Sequence, residues 1–444
     1  MGTNYQKGVM KFRFLDLFVS ECRRTKEKFQ SLERDPEEVL SLYEKVFRWE
    51  EIEPTEVSGK VFAIDSSDGV IEHRNGGVIH ISRGIGVSND GEEIKDLSLE
   101  VFYPESGRAL REYRSLSREN IEHSVAIKCL EECNDNSFLL IDGSLYGRML
   151  HVPEELPIRG EFPLIIEYIE RYYELISKAL KSGVTLVGVS KDSRSRILRR
   201  HLIRISLEMA MERLGIEREE RENIMEVFHS TVRRPKEAVQ KILSMERSGA
   251  PREVITLLRE ALSGGTDLLL VSQLGKGRGF TYPILTRPHS PFIDTLSKYL
   301  GEEELFPFYL IDNFPRSFYE LGEDFLDRAR RSLELILKYP PVLITYCTLG
   351  IGDSPIRIDL ISKELPRAPR ETEFSKEIPR VLMEVLSLLD SMYSGERHYN
   401  VLLERADSLV KMGIKELRVY KKILEREINS IVRQSRGSRR VIFP

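Results

Sequence analysis

The sequence predicts an α/β fold: a mixed sheet flanked by helices, with a helical insertion and helical extensions at both ends. Three observations predict it. Two short apolar runs, residues 61–64 and 138–141, each stop on an aspartate followed by small or polar residues, as buried strands opening into turns do. The stretch between them passes from strand patterning to helical periodicity. Residues 197–263 then abandon the alternation for long Arg- and Glu-rich helical patterning.

At 444 residues the chain can bury a large core, and its length allows two or three domains or one domain with long insertions. Charged residues make up 31%, mostly Glu, Arg and Lys, a balance enriched where ion-pair networks work at high temperature. The formal net charge of -4 excludes a globally basic nucleic-acid binder; a nucleic-acid site here is a local basic groove. Cys22, Cys129, Cys133 and Cys347 lack zinc-site spacing and are expected as reduced helix or core residues. No apolar run has the length of a membrane span, and the N-terminal stretch lacks the apolar centre of a signal peptide. A cytoplasmic protein with no membrane partner is expected.

The elements follow in order. Residues 1–55 are expected as an N-terminal helical arm, with Phe12, Leu15, Phe18 and Val19 at helical spacing and a second helix after Asp35-Pro36. Residues 56–196 form the first part of the core. Its strands are expected at 61–65, 77–83 and 97–103, separated by the turn signals Asn75-Gly76-Gly77 and Asn89-Asp90-Gly91. A helix over 117–132 places Ile121, Val125, Cys129 and Leu130 on one face; a fourth strand at 138–142, a helix at 164–181 and a fifth strand at 185–190 come next. Residues 197–265 are the helical insertion, broken at Arg234-Pro235 and before Pro251. Residues 266–444 complete the core, with strands expected at 267–272, 308–312, 342–349 and 355–361 and helices at 318–338, 375–393, 399–412 and 414–433. The basic tail Arg436 to Arg440, followed by Val441, Ile442 and Phe443, suits a contact with another subunit.

Three meandering strands, a helix, a strand, a helix and a strand is the order of the ribonuclease H-like fold. There the first and fourth strands are parallel neighbours, so Asp65 and Asp142 would sit side by side as divalent-cation ligands. The intervening helix supplies a glutamate in that fold. Glu119, Glu122, Glu131 and Glu132 are candidates, with Glu100 on the third strand. Glu122 leads a small-and-apolar stripe and is preferred; Glu119, one turn earlier, is the alternative. After the fifth strand, Lys191, Arg194 and Arg196 lie among hydroxyls, a composition suited to phosphate contacts or to a charged loop opening a helix. Lys191 is placed to stabilise charge on a transferring phosphoryl group. The loop 275–279 is glycine-rich and carries Lys276 and Arg278. No Lys-Ser/Thr helix follows, so it reads as a basic DNA-touching loop and not a nucleotide-binding one; no ATP hydrolysis is expected.

The sequence AIDSSDG around Asp65, the helix from Glu119, LLIDGSLYG around Asp142 and VGVSKDSRSR around Lys191 resemble the archaeal NurA nuclease family, as do PIRIDLI at 355–361 and YNVLLERADSLVKM at 399–412. The resemblance implies a manganese-dependent 5′-to-3′ exonuclease with endonuclease activity on single strands, magnesium being an alternative metal. It further implies action on single-stranded DNA and duplex ends during double-strand-break resection, a ring-like homodimer, and a hexameric HerA-type ATPase as partner. It places a fourth acid at Asp407, where many members carry histidine; an aspartate there ligates a hard cation but is no neutral imidazole. Asp359 is the competing acid. The expected site has Asp65 bridging two divalent ions, Glu122 and Asp142 completing one site each, Asp407 on the far side and Lys191 facing the scissile phosphate. Two other functions fit such a body: a non-catalytic DNA clamp that feeds a motor, and a nuclease acting on RNA or an RNA/DNA hybrid.

Overall fold

The computed structural model describes residues 3–435 except 27, 29–34, 161–162, 263–264, 289–290, 368 and 370, and no side chain before residue 14. The side chain of Phe12 and the tail from Arg436 to Phe443 lie outside the described residues. The chain divides into two compact units, residues 1–48 with 193–276, and residues 49–192 with 277–444. No helix among the described residues is long and apolar enough to cross a membrane.

The elements run α1 (Thr3–Arg24), α2 (Glu37–Tyr43), β1 (Trp49–Glu50), β2 (Val61–Glu72), β3 (Val78–Ser88), β4 (Glu93–Pro104), α3 (Gly107–Leu130), β5 (Phe138–Asp142), α4 (Leu145–Arg148), β6 (Ile158–Arg159), α5 (Leu164–Ser182) and β7 (Thr185–Ser190). Next come α6 (Ile197–Arg213), α7 (Arg218–Arg233), α8 (Pro235–Arg247), α9 (Arg252–Leu262), α10 (Asp267–Leu274), β8 (Gly279–Thr281), β9 (Ile284–Thr286), α11 (Pro291–Gly301), α12 (Phe306–Asn313) and α13 (Pro315–Ile336). The chain closes with β10 (Val342–Thr348), β11 (Ile356–Ile361), β12 (Glu373–Phe374), α14 (Arg380–Ser391), α15 (Val401–Val410) and α16 (Ile414–Glu427).

The first unit is helical. Arg199 on α6, fully buried, pairs with Glu260 and, at 2.6 Å, with Asp35. Asp267 caps the start of α6, accepting from Leu198 N at 3.2 Å and Arg199 N at 2.8 Å. On α1, Leu15, Phe18 and Val19 are exposed.

The second unit is built on one 12-stranded mixed sheet with the order β1-β8-β10-β11-β7-β5-β2-β3-β4-β6; off this path β9 pairs with β10, and β12 with β9. The expected core order is present: β2, β3 and β4 form an antiparallel meander, and β2, β5 and β7 are parallel neighbours. Gly76 and Gly91 carry the positive φ values, 87° and 97°, that close the two hairpins. One face of the sheet is covered by α14 and α15, whose Leu382, Leu386, Leu403 and Ala406 join Ala63, Val87, Leu140 and Val189 in one apolar cluster. The other face takes α3, which lies unusually close to β3. A Cβ on Gly86 would come within 2.4 Å of Cys129 Sγ, so only glycine lets α3 sit at this depth.

Several expectations are corrected. Residues 267–272 and 308–312 are helical, not strands. A short apolar run reads alike in a buried strand and a buried helix. Thr266 caps α10 by accepting from Leu269 N, and Pro307 opens α12 with Phe306, Tyr309 and Leu310 buried at helical spacing. The helix α3 begins ten residues before the expected start, capped by Ser106, whose side chain accepts from Ala109 N at 3.1 Å. Its first half is too polar to announce a buried face. Finally, β2 does not end on Asp65 but continues to Glu72, paired with β3 throughout.

Candidate active site

Asp65 is positioned by a change of neighbour within β2. The parallel ladder to β5 stops at the pair Ile64–Ile141, while the antiparallel ladder to β3 continues. The next residues, Asp65 and Asp142, stand side by side where β5 ends. Side chains alternate along a strand. Asp65 therefore shares the face of Ala63, and Asp142 that of Leu140, the face covered by α15. Burial pushes the Asp65 carboxyl up to about 7; Glu122 adds to the rise, the bond from Ser66 N (2.7 Å) opposes it, and Asp142 and Asp407 add further. Asp142 is also raised by burial, with Lys191 and Arg148 pulling against it and Asp407 pushing with it. These mutual effects bring Asp65, Glu122, Asp142 and Asp407 into one electrostatic cluster.

Glu122 arrives from the opposite face, on α3. Its Oε1 accepts from Ser66 Oγ at 2.5 Å, and its Oε2 pairs with the buried Arg148 guanidinium. Burial pushes Glu122 up while Arg148 and Ser66 pull it back. Arg148 stands on α4, the single turn after β5. It also donates to Asp142 O at 3.1 Å and lies 2.9 Å from His123 Nε2, tying the strand end to α3. Glu119 has other partners, Tyr168 Oη at 2.6 Å and His151 Nε2 at 2.9 Å. Burial would raise its carboxyl, but His151, the Arg148 charge and Tyr168 outweigh that and hold it at about 2. Both glutamates line a cavity of about 450 Å³ with Asp65, Asp142, Arg118 and Arg148. Of the two, Glu122 is the one that raises Asp65. Glu131 and Glu132 follow the end of α3, and Glu100 accepts from Ser98 Oγ on β4.

Asp407 is exposed on α15. Asn400 caps that helix by accepting from Leu402 N (3.1 Å) and Leu403 N (2.9 Å). At its other end Val410 O accepts from Ser67 Oγ and from Arg83 Nε (2.7 Å), and Lys411 O accepts from Arg83 Nη2 (2.6 Å). Strands β2 and β3 thus hold α15 against the aspartates. Just before α15, Tyr399 is pushed up by burial and then by Asp142 and Asp65. The Lys191 ammonium lies 3.7 Å from Asp142 Oδ2 and 5.1 Å from the Tyr399 ring centre.

The remaining expected residues are placed differently. Asp359 is fully buried on β11, an interior strand, and its carboxylate is taken up by Arg357 (2.7 Å), Ser144 Oγ (2.7 Å) and Tyr146 N (3.0 Å). It braces the turn after β5. Arg278 pairs with Asp390 at 2.6 Å. Arg194 and Lys276 are exposed on the helical unit, where Arg196 donates to Glu260 O at 3.1 Å. Arg148, Arg118, Ser66, Arg83 and Tyr399 were missed in the sequence. Ser66 lies within the Asp65 motif, Tyr399 opens the motif containing Asp407, and Arg148 directly follows the Asp142 motif; Arg118 and Arg83 have no such signal.

The donor chemistry suits a hard divalent cation, since the cluster offers carboxylate oxygens and no thiolate. Among the described residues no three Asp, Glu, His or Cys side chains are drawn into a ligand set as they stand. Glu122 is turned to Arg148 and Ser66, away from the face that Asp65 and Asp142 share.

Among curated proteins none matches the chain. Among solved structures, the NurA nuclease from Sulfolobus solfataricus is 14% identical, with 94% of this chain and 97% of that one covered and a TM-score of 0.52. At that identity the likeness speaks for the fold. A NurA structure with manganese (15% identity, 92% and 98% covered) and one bound to dAMP and manganese (14%, 91% and 94%) superpose at TM-scores of 0.39 and 0.35, too low to carry an argument. Residues 59–412 match the NurA domain, and the chain belongs to the NurA nuclease family.

Proposed function

We propose that this protein is a divalent-metal-dependent deoxyribonuclease that hydrolyses phosphodiesters as a 5′-to-3′ exonuclease and a single-strand endonuclease. It would use Mn²⁺, or Mg²⁺ in its place, and act on single-stranded DNA and duplex ends in the cytoplasm. Its setting would be resection at double-strand breaks, as a homodimer working with a HerA-type hexameric ATPase. The helical unit is read as an insertion outside the nuclease core. Membership of the NurA family supports this reading. The observation that carries it is the convergence of Asp65 and Asp142 at the ends of one parallel ladder, both carboxyls raised by burial and, to a smaller extent, by the charge of Asp407.

Asp65, Asp142 and Asp407 would hold the cation from one face of the sheet, with Glu122 approaching from the other. A divalent cation so held would supply Lewis acidity for the attacking water and the leaving oxygen. The chain itself does the rest. Lys191 meets negative charge building on the phosphoryl oxygens, and the Tyr399 ring beneath it fixes its place. Arg148 and Ser66 orient Glu122. Arg83 and Ser67 hold the helix that carries Asp407.

The test is degradation of 5′-labelled and 3′-labelled single-stranded DNA with Mn²⁺, beside Asp65→Ala. Cleavage that requires Mn²⁺, releases the 5′ label first and disappears in the variant is expected. Equal cleavage by the variant contradicts the reading. Tight DNA binding without cleavage, in the presence or absence of an ATPase partner, favours a clamp.

A further inference from the structure

The first half of α3, unforeseen in the sequence, carries Arg111, Arg114 and Arg118 ahead of Glu122. Spacings of three, four and four residues put all four side chains on one face of the helix, each about 4.5–6 Å further along the axis. Arg118 already lines the cavity that holds Asp65, Glu122 and Asp142. The row thus leads out of the acid cluster along α3.

The heads of two of these arginines are anchored from below. Asp68, three residues past Asp65 on β2 and only 6% exposed, accepts from Arg114 Nε at 2.5 Å and Nη2 at 3.3 Å, and lies 3.8 Å from Arg118 Nε. It also lies 3.1 Å from His80 Nε2. One carboxylate therefore orients two guanidiniums, which remain 40% and 48% exposed. Arg114 alone would neutralise Asp68; Arg118 leaves a surplus of positive charge. That surplus borders a cavity lined with Asp65, Glu119, Glu122 and Asp142, which by themselves would repel any polyanion. Guanidiniums held by one edge keep their remaining N–H groups free for phosphate oxygens.

We propose that Arg118 and Arg114 bind successive phosphates of a single DNA strand on one side of the cleavage position, with Arg111 meeting the next. A four-residue step along the helix is close to the spacing of neighbouring phosphates on an extended strand, so one straight row of arginines can follow one strand. This assignment deepens the nuclease reading and rests on it for the location of the cleavage position.

The test separates the two. Binding of a fluorescein-labelled oligothymidine is followed by anisotropy in EDTA, where no divalent-ion cleavage occurs, over a series of salt concentrations. Arg118→Gln should weaken binding roughly three- to tenfold at low salt and reduce the slope of log affinity against log salt by about 0.7, the value for one phosphate contact on a single strand. Arg118→Lys should retain most of the slope. Arg114→Gln should behave like Arg118→Gln, with a melting curve to confirm that Asp68, still paired with His80, has not unfolded the protein. Arg108→Gln removes an arginine that is paired with Glu112 and lies roughly a quarter turn round the helix; it should leave binding unchanged. Unchanged affinity and slope in Arg118→Gln, equal loss in Arg118→Gln and Arg118→Lys, or no binding by the wild type would overturn the proposal. Loss of cleavage in Asp65→Ala with this binding pattern intact leaves both readings standing; the binding pattern with cleavage unaffected in Asp65→Ala removes only the nuclease site.

Discussion

Replacing Asp65 with asparagine should stabilise the metal-free protein above neutral pH. Burial and three neighbouring carboxylates raise the Asp65 carboxyl from its ordinary 3.8 to about 7. The folded state then binds a proton that the unfolded state has released, so stability falls as pH rises from about 4 to about 7. Below about pH 4 the carboxyl is neutral in both states and costs nothing extra. Above about pH 7 the full penalty is present. At 1.36 kcal/mol for each tenfold change in proton affinity, the rise corresponds to roughly 4 kcal/mol. Water at the open side of the cavity screens part of that, and about 2 kcal/mol is a fair expectation. Asparagine keeps the shape and carries no charge at any pH. Urea unfolding in EDTA at pH 8 should therefore show Asp65→Asn more stable than the wild type, with the difference vanishing near pH 4. A variant equally stable at pH 8, or one whose advantage is largest in acid, would refute the picture of an uncompensated acid cluster.

Three further outcomes follow from the same geometry. Arg148→Ala leaves Glu122 buried without its cation, and a loss of about 3–5 kcal/mol in urea unfolding is expected; a loss below about 1 kcal/mol would show that the pair is not buried as described. Arg83→Met removes two bonds to the last turn of α15, so amide exchange over residues 401–410 should accelerate and cleavage fall roughly tenfold while the remainder of the sheet stays protected; unchanged exchange would contradict the clamp. Gly86→Ala drives a Cβ against Cys129 Sγ and should destabilise by about 1–3 kcal/mol, with part of the loss recovered when Cys129→Ala is added; no loss would mean α3 can retreat freely.

How much of this was legible in the residues differs from one element to the next. The places of the two aspartates were legible because an apolar run that stops on an acid is a local pattern, and the strand order then makes the two positions neighbours. Lys191 was legible for the same reason, following directly on β7. What the pattern could not tell was that β2 continues beyond Asp65 on one side only, since that depends on β3 being long where β5 is short. The interior place of Asp359 was hidden too: an acid in an alternating strand reads as edge or surface until its partners Arg357, Ser144 and Tyr146, two of them from a distant stretch, are seen. Nothing in the sequence singles out Arg114 and Arg118, because their significance comes from Asp68 on another element. The helices at 267–274 and 306–313 read as strands because their few apolar residues fit two periodicities, and the caps outside each run settle the matter.

The capacity of Asp65 and Asp142 to hold a divalent cation is open to direct measurement. Mn²⁺ binding by the intact protein, followed by loss of the free-ion electron paramagnetic resonance signal, measures it without reference to cleavage. The wild type should take up Mn²⁺ at neutral pH, and Asp65→Asn and Asp142→Asn should each lose most of that uptake while remaining folded. Uptake that is absent in the wild type, or equal in all three proteins, would contradict the claim that these two strand ends form a metal-dependent nuclease site.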